Sequence, residues 1–104
     1  MAKKKDTKTI EPPVEGIIDN KQKKQFELWM DGHLARVPYN FKDDAIALFH
    51  TEVPDELRGR GLAKQLTLYA LNYAMENHLK IIPYCPFIAK YIRDHQQWQS
   101  YVKS

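Results

Sequence analysis

The sequence predicts a single α/β domain built on a mixed, twisted sheet, and three observations lead there. Short alternating segments joined by turn residues fill the first half of the chain. A glycine-bearing loop, Arg58-Gly59-Arg60-Gly61-Leu62-Ala63, then joins an apolar strand to an amphipathic helix. A further strand and a second main helix complete the order. At 104 residues the chain suits one domain, and its 43% of apolar residues, with two Trp, six Tyr and four Phe, support a packed core rather than wholesale disorder.

Residues 1–13 read as a flexible basic tail, with Lys3, Lys4, Lys5 and Lys8 against Asp6 and Glu11, closed by Pro12-Pro13. Most of the formal charge of +3 lies in that tail, so the body, residues 14–104, is close to neutral. Val14 to Asn20 adds a short edge segment, and Lys21-Gln22-Lys23-Lys24 a charged turn. Gln25 to Met30 alternates as a strand. Asp31-Gly32 is a two-residue hairpin signal, and His33 to Tyr39 is the return strand. On it Ala35, Val37 and Tyr39 face one way, and Leu34, Arg36 and Pro38 the other. Proline donates no hydrogen bond, so this strand is expected at a sheet edge, or to end at Pro38. Trp29 and Tyr39 are expected to pack on the sheet or to line an exposed edge, and a group of exposed aromatics would mark a partner surface.

Lys42-Asp43-Asp44 is the next turn. Ala45 to Val53 is expected as a central strand, apolar on both faces in its first half. His50 and Glu52, two residues apart, emerge on one face. Pro54 to Leu57 leads into the glycine loop. The helix runs from Leu62 to Asn77, with Leu62, Leu66, Tyr69 and Tyr73 as its apolar stripe and Asn77 as its left-handed cap. Leu79 to Tyr84 is another strand. Cys85-Pro86 opens a second helix whose Phe87, Ile88, Tyr91 and Ile92 are spaced to pack on the sheet, with His95 near its end. Trp98 and Tyr101 dock the C-terminal stretch. The strand–helix–strand unit places the glycine loop and Cys85 together at the carboxyl ends of neighbouring strands, where open α/β sheets bind ligands.

The loop chemistry points to a phosphate-bearing ligand. Glycines permit close backbone approach, the helix turns its first N–H groups and positive dipole end toward the loop, and Arg58 and Arg60 add charge. The pattern is neither a Gly-Lys-Ser/Thr P-loop nor a complete dinucleotide fingerprint. One cysteine excludes an internal disulfide framework, and four scattered histidines show no metal-ligand spacing, so no metal is expected. No apolar run reaches the roughly 20 residues of a membrane span, and the basic N-terminus lacks a signal-peptide core. A cytoplasmic location and no membrane partner are expected.

The segments Arg58-x-x-Gly61-x-Ala63, His50-Thr51-Glu52-Val53-Pro54 and Cys85-Pro86-Phe87, with Tyr91 and His95 beyond, occur in register. On these the chain resembles the GCN5-related N-acetyltransferase (GNAT) superfamily, and within it the very small single-domain members with a Cys-Pro-Phe turn. The resemblance spans residues 20–102. It implies the GNAT-like acyl-CoA N-acyltransferase fold, with antiparallel N-terminal strands, a strand–loop–helix coenzyme A site and two main helices. It also implies acetyl-CoA as cofactor and acetyl transfer to an amine. Gly59, Gly61, Leu62 and Ala63, with Arg58 and Arg60, would hold the pyrophosphate. Peptide groups at Thr51 and Val53 would pair with the pantetheine arm, and the thioester would reach Cys85. The N-terminal helices that cover the acceptor in larger members are missing, which implies an open acceptor site or one completed by another chain.

Each chemical residue carries a plainer alternative. Cys85 is a small buried hydrophobe, or a reactive thiol that accepts the acetyl group or lines the thioester pocket. His50 is a satisfied polar residue or the general base, with Glu52 orienting it or facing solvent. Tyr91 is a core residue, or the acid that protonates departing thiolate, as in some members of the superfamily. His95 caps its helix or reaches the sulfur. The acceptor is a small-molecule or protein amine, and the chain a monomer or weak homodimer. A coenzyme A-binding module with little turnover is the alternative function. Nucleic-acid binding rests only on the tail and a pI near 9.0 and is disfavoured.

Overall fold

Five strands form one sheet in the order β1-β2-β3-β4-β5: Ile17–Asn20, Gln25–Met30, His33–Lys42, Ala45–Leu48 and Lys80–Pro83. The computed structural model describes residues 16–103; the expected tail and Val14 lie outside them. The first four strands are antiparallel neighbours, and β5 runs parallel to β4. Asp31 and Gly32 turn β2 into β3 with positive φ at both positions, 53° and 78°. That is the turn whose twist matches the strands, and aspartate with glycine tolerates it best.

The Pro38 expectation requires correction. Pro38 lies inside β3, a ten-residue central strand. Tyr39 N–H bonds Lys24 O at 2.9 Å, so the peptide groups of Pro38 turn the other way, toward β4. There Phe49 N–H donates to Pro38 O at 3.1 Å, and no N–H exists to return the bond. The ladder fails at that point. The next bridge joins Arg36 to Glu52 through two bonds of 2.9 Å, so His50 and Thr51 are spread opposite the single residue Val37. This is a β-bulge, a setting in which a proline is admitted to a sheet. The expected strand over Ala45–Val53 therefore stops at Leu48, where the bulge ends its regular pairing.

The first main helix, α1 (Leu62–Glu76), connects β4 to β5; the second, α2 (Pro86–Asp94), follows β5. A 3-10 turn over Gln96–Tyr101 leads to Val102, which bridges Ile81 in parallel. Two successive parallel crossovers of the usual hand place both helices on one face of the sheet. The core agrees: Phe26, Tyr39, Leu48, Leu66, Leu71, Ile88, Ile92 and Trp98 belong to one buried cluster. Phe26 is its centre, with the rings of Tyr39, Tyr69 and Tyr73 at 4.6, 5.1 and 5.2 Å. Tyr39 is thus core, whereas Trp29 is exposed. Among the described residues no helix is long and apolar enough to cross a membrane.

α1 ends differently from expectation. Asn77 has φ −100°, and His78, with φ 58°, is the left-handed residue. His78 N–H reaches Met75 O and Leu79 N–H reaches Ala74 O, the paired bonds of a Schellman ending. Asn77 instead bonds Tyr73 O through its side chain at 2.8 Å.

The other face of the sheet holds a buried carboxylate. Glu27 is 4% exposed and accepts hydrogen bonds from Gln25, Asn20 and the Trp29 indole. Burial pushes its pKa up, but the three donors together outweigh that and hold it below 4.5. A depressed folded-state pKa adds stability above the unfolded value that is lost as the pH falls through the folded one. Glu27→Gln should therefore flatten the acid side of the stability profile below pH 4.5, read from urea midpoints at several pH values. Phe26→Ala should cost about 3–5 kcal/mol, read as a lower urea midpoint at unchanged slope.

Candidate active site

The site grows from the junction between β4 and α1. Gly59 and Gly61 hold φ values of 80° and 74°, where a side chain would strain the backbone. A Cβ at either would meet nothing within 4 Å, so both glycines leave the space before the loop open. Gly61 is the N-cap of α1 and carries no capping side chain, and its O takes the first helical bond from Gln65 at 3.1 Å. The N–H groups of the first turn thus have no side-chain cap. In front of them lies a cavity of about 260 Å³ lined by Val53, Leu57, Arg58, Gly59, Gly61, Leu62, Ala63, Lys64 and Phe87. The arginines take surface pairs: Arg58 with Asp55 and Arg60 with Asp31, both at 2.9 Å.

Phe87 enters this lining against expectation. Ile88 and Ile92, one turn apart, form the buried side of α2. Phe87 stands about 100° round the helix from Ile88, which turns it toward the glycine loop; it is 46% exposed.

Beyond Leu48 and Pro83 the parallel strands separate. Because Glu52 turns both peptide groups toward Arg36, those of Thr51 and Val53 point the opposite way, toward the side β5 has left. β5 has by then become the start of α2. Cys85 is the N-cap of that helix, with Pro86 at its first position, and its N–H donates to Leu48 O at 3.0 Å. Its side chain is 2% exposed, with Sγ 3.3 Å from Thr51 Oγ1. Cys85 and Thr51 meet where the strand ends part, and outward peptide groups edge that gap; Val53 at its edge also lines the loop cavity. Such an edge can pair with an amide-bearing arm as an added strand would.

His50 and Glu52 lie on the open face. His50 Nδ1 is 3.0 Å from Glu52 Oε2. Arg36 grips the same carboxylate with two bonds, Nε to Oε1 at 2.9 Å and Nη2 to Oε2 at 3.1 Å. Its remaining Nη1 donates to Gln25 Oε1 at 2.7 Å, and Gln25 bonds Glu27. The Arg36 bond, with its charge and that of His50, holds Glu52 below the usual carboxylate range although burial opposes it. In the neutral imidazole, an ionised Glu52 that accepts Nδ1–H leaves Nε2 without a proton.

The structure thus brings the predicted residues into two groups. The loop residues and Val53 line one cavity; Cys85 meets Thr51 across the adjoining gap, and His50 meets Glu52 on the open face. Tyr91 does not join the Cys85 group: its ring stacks on His95 at 3.9 Å and 13°, and His95 Nδ1 bonds Tyr91 O at 2.8 Å. Tyr91 is six positions on from Cys85, about 9 Å along the helix. Arg36, Gln25 and Phe87 were not expected at the site. The alternation of β3 put Arg36 on one face with Leu34 and Pro38, but only the bulged register puts it on Glu52. Among the described residues no group of three or more His, Cys, Asp or Glu could hold a metal ion.

The family described as GCN5-related N-acetyl-transferase matches residues 25–101. Protein NATD1 of Mus musculus is 38% identical over 82 residues, covering 76% of this chain and 74% of its own. Protein NATD1 of Homo sapiens is 37% identical, covering 76% and 73%. The NMR solution structure of a GCN5-like protein from Staphylococcus aureus, named a candidate N-acetyltransferase, superposes with a TM-score of 0.66. It is 29% identical and covers 88% of this chain and 92% of its own. Fold, loop and sequence agree, and the chain belongs to the GCN5-related N-acetyltransferase family.

Proposed function

We propose that the protein is an acetyl-CoA-dependent acyltransferase that moves an acetyl group to an amine. The observation that carries this is the opening between β4 and β5 beside the uncapped start of α1. One elongated ligand with an anionic end and an amide-bearing arm fits both parts at once. The residues fit coenzyme A in kind. The first-turn N–H groups with Arg58 and Arg60 would take the pyrophosphate. Thr51 and Val53 would take the pantetheine amides, and Cys85 and Thr51 would stand at the thioester end. When bound there, acetyl-CoA supplies an activated acyl group.

The chain's own residues supply the proton chemistry. An amine attacks only as its neutral form, so a base must take its proton. His50 is the best placed: Glu52 fixes its tautomer and Arg36 fixes Glu52, leaving Nε2 to accept. Cys85 has no such partner. Its hydrogen-bonding neighbour is a hydroxyl, and it is buried, so lining the thioester pocket suits it better than carrying the acetyl group. The second reading is a coenzyme A-binding module with little turnover, favoured by the same lack of a base beside Cys85. Thiol release with an amine panel separates the two.

Calorimetric titration of acetyl-CoA should show binding by the wild-type chain. Gly61→Val should weaken it at least about tenfold, because a branched side chain is strained at positive φ, with the circular dichroism unchanged. A folded wild-type protein that does not bind would end the acyltransferase reading. His50→Ala should lower kcat about a hundredfold or more, the usual size of a general-base contribution, and leave acetyl-CoA affinity as it was. Arg36→Met should lower kcat less and alter the pH profile of kcat/KM, since Arg36 acts through Glu52. An Arg36→Met profile that overlays the wild type would remove Arg36 from the mechanism.

A further inference from the structure

Arg60 stands apart from the rest of the glycine loop. The cavity before α1 is lined by Arg58, Gly59 and Gly61, on either side of Arg60, but not by Arg60 itself. Its side chain turns instead to the tip of the β2–β3 hairpin. There Nη1 lies 2.9 Å from Asp31 Oδ2 and 3.3 Å from Met30 Sδ. Met30 and His33 form the last pair of that hairpin. His33 Nδ1 lies 3.9 Å from Glu56 Oε1, in the 3-10 turn just ahead of the loop. Two contacts between segments far apart in the chain thus hold the hairpin tip against the loop. Arg58 differs: its partner Asp55 is three residues away on the same segment.

Asp31 and a phosphate at the loop compete for one guanidinium, a group that pairs well with either anion. Asp31 presents its carboxylate from a fixed frame, a two-residue turn with φ 53° at Asp31 and 78° at Gly32. A ligand that needs Arg60 free meets it free in only a fraction of the molecules, and its apparent affinity falls by that fraction. Exposure sets the size of the effect. The Arg60 and Asp31 side chains are 46% and 65% exposed, and pairs of that kind are weak, so the loss of affinity is about two- to sixfold.

We propose that Asp31 is a positioning residue that sets the affinity of the loop for its anionic ligand, acting through Arg60. In the free protein it holds Arg60 off the cavity. A bound phosphate takes Arg60 from it and releases the hairpin tip from the loop. The inference rests on the coenzyme A reading and goes beyond it: a residue outside the cavity tunes binding, and binding is felt at the tip.

The test is calorimetric titration of acetyl-CoA into the full-length protein as wild type, Asp31→Asn, Arg60→Gln and the double variant. Asn-Gly is a preferred pair for this turn, so Asp31→Asn keeps the hairpin. Asp31→Asn should tighten binding about two- to sixfold, and Arg60→Gln should weaken it. In the Arg60→Gln background Asp31→Asn should change affinity by less than about twofold, since its route of action is gone. In 15N spectra acetyl-CoA should shift the Asp31 and Gly32 amides of the wild type, and much less those of Arg60→Gln. Weaker binding by Asp31→Asn would overturn the proposal, because Asp31 would then order Arg60 for the ligand. Equal tightening in both backgrounds would overturn it too, leaving simple charge repulsion. Unchanged affinity in either single variant, with wild-type binding intact, would remove this inference alone. A folded wild type that does not bind would remove the coenzyme A reading and this inference with it.

Discussion

The absent N–H of Pro38 is the constraint on which the site depends. A central strand can lose one ladder bond only where its neighbour turns away, and β4 turns away there. Two residues then face one, and the register recovers only at Arg36 and Glu52. Everything at the gap follows from that one-residue slip. It carries Glu52 onto Arg36 and aims the peptide groups of Thr51 and Val53 outward. It also separates the strand ends so that Cys85 and Thr51 meet below the opening. In a regular ladder Thr51 rather than Glu52 would pair with Arg36, and its peptide groups would face β3 instead of the gap.

The two faces of the sheet divide the work. The helix side supplies stability through a continuous apolar cluster around Phe26. The open side keeps polar groups in place by mutual hydrogen bonding, since a buried carboxylate without donors would cost far more than the bonds return. The chain from Glu27 through Gln25, Arg36 and Glu52 to His50 satisfies each member in turn. Such a network holds side chains in fixed positions at a surface where apolar packing is thin, which the role proposed for His50 as proton acceptor would require.

Much of the fold was legible because local chemistry and tertiary contacts agreed. The Asp31-Gly32 hairpin, α1 and the Cys85-Pro86 helix start fall where turn residues and periodicity put them. The glycine loop stood out because two glycines precede an apolar helical stripe. The failures share one cause. Pro38 was read from its missing donor without the bulge that accommodates it, and Phe87 from helical spacing without knowledge of which turn faces the core. His78 took the left-handed position from Asn77 because the Schellman bonds to Met75 and Ala74 decide the ending, not the residue's intrinsic tolerance. Arg36 was on the right face, but its partner depended on a register shift that no local pattern encodes.

The loop raises a separate question of which groups would bind an anion. Arg58 and Arg60 were expected to offer free charge, yet each is already paired with an aspartate at the surface. Exposed pairs of this kind are worth little in water, so a phosphate can displace the aspartates at small cost. The fixed part of the site is the backbone instead. Gly59 and Gly61 hold left-handed conformations, and the uncapped first turn of α1 leaves N–H groups oriented before any ligand arrives. Donors that need no rearrangement lose little entropy on binding, whereas long arginine side chains must leave a partner and be ordered again. Under the proposed function, loop geometry would therefore set position and specificity, and the arginines would add attraction that falls with rising salt.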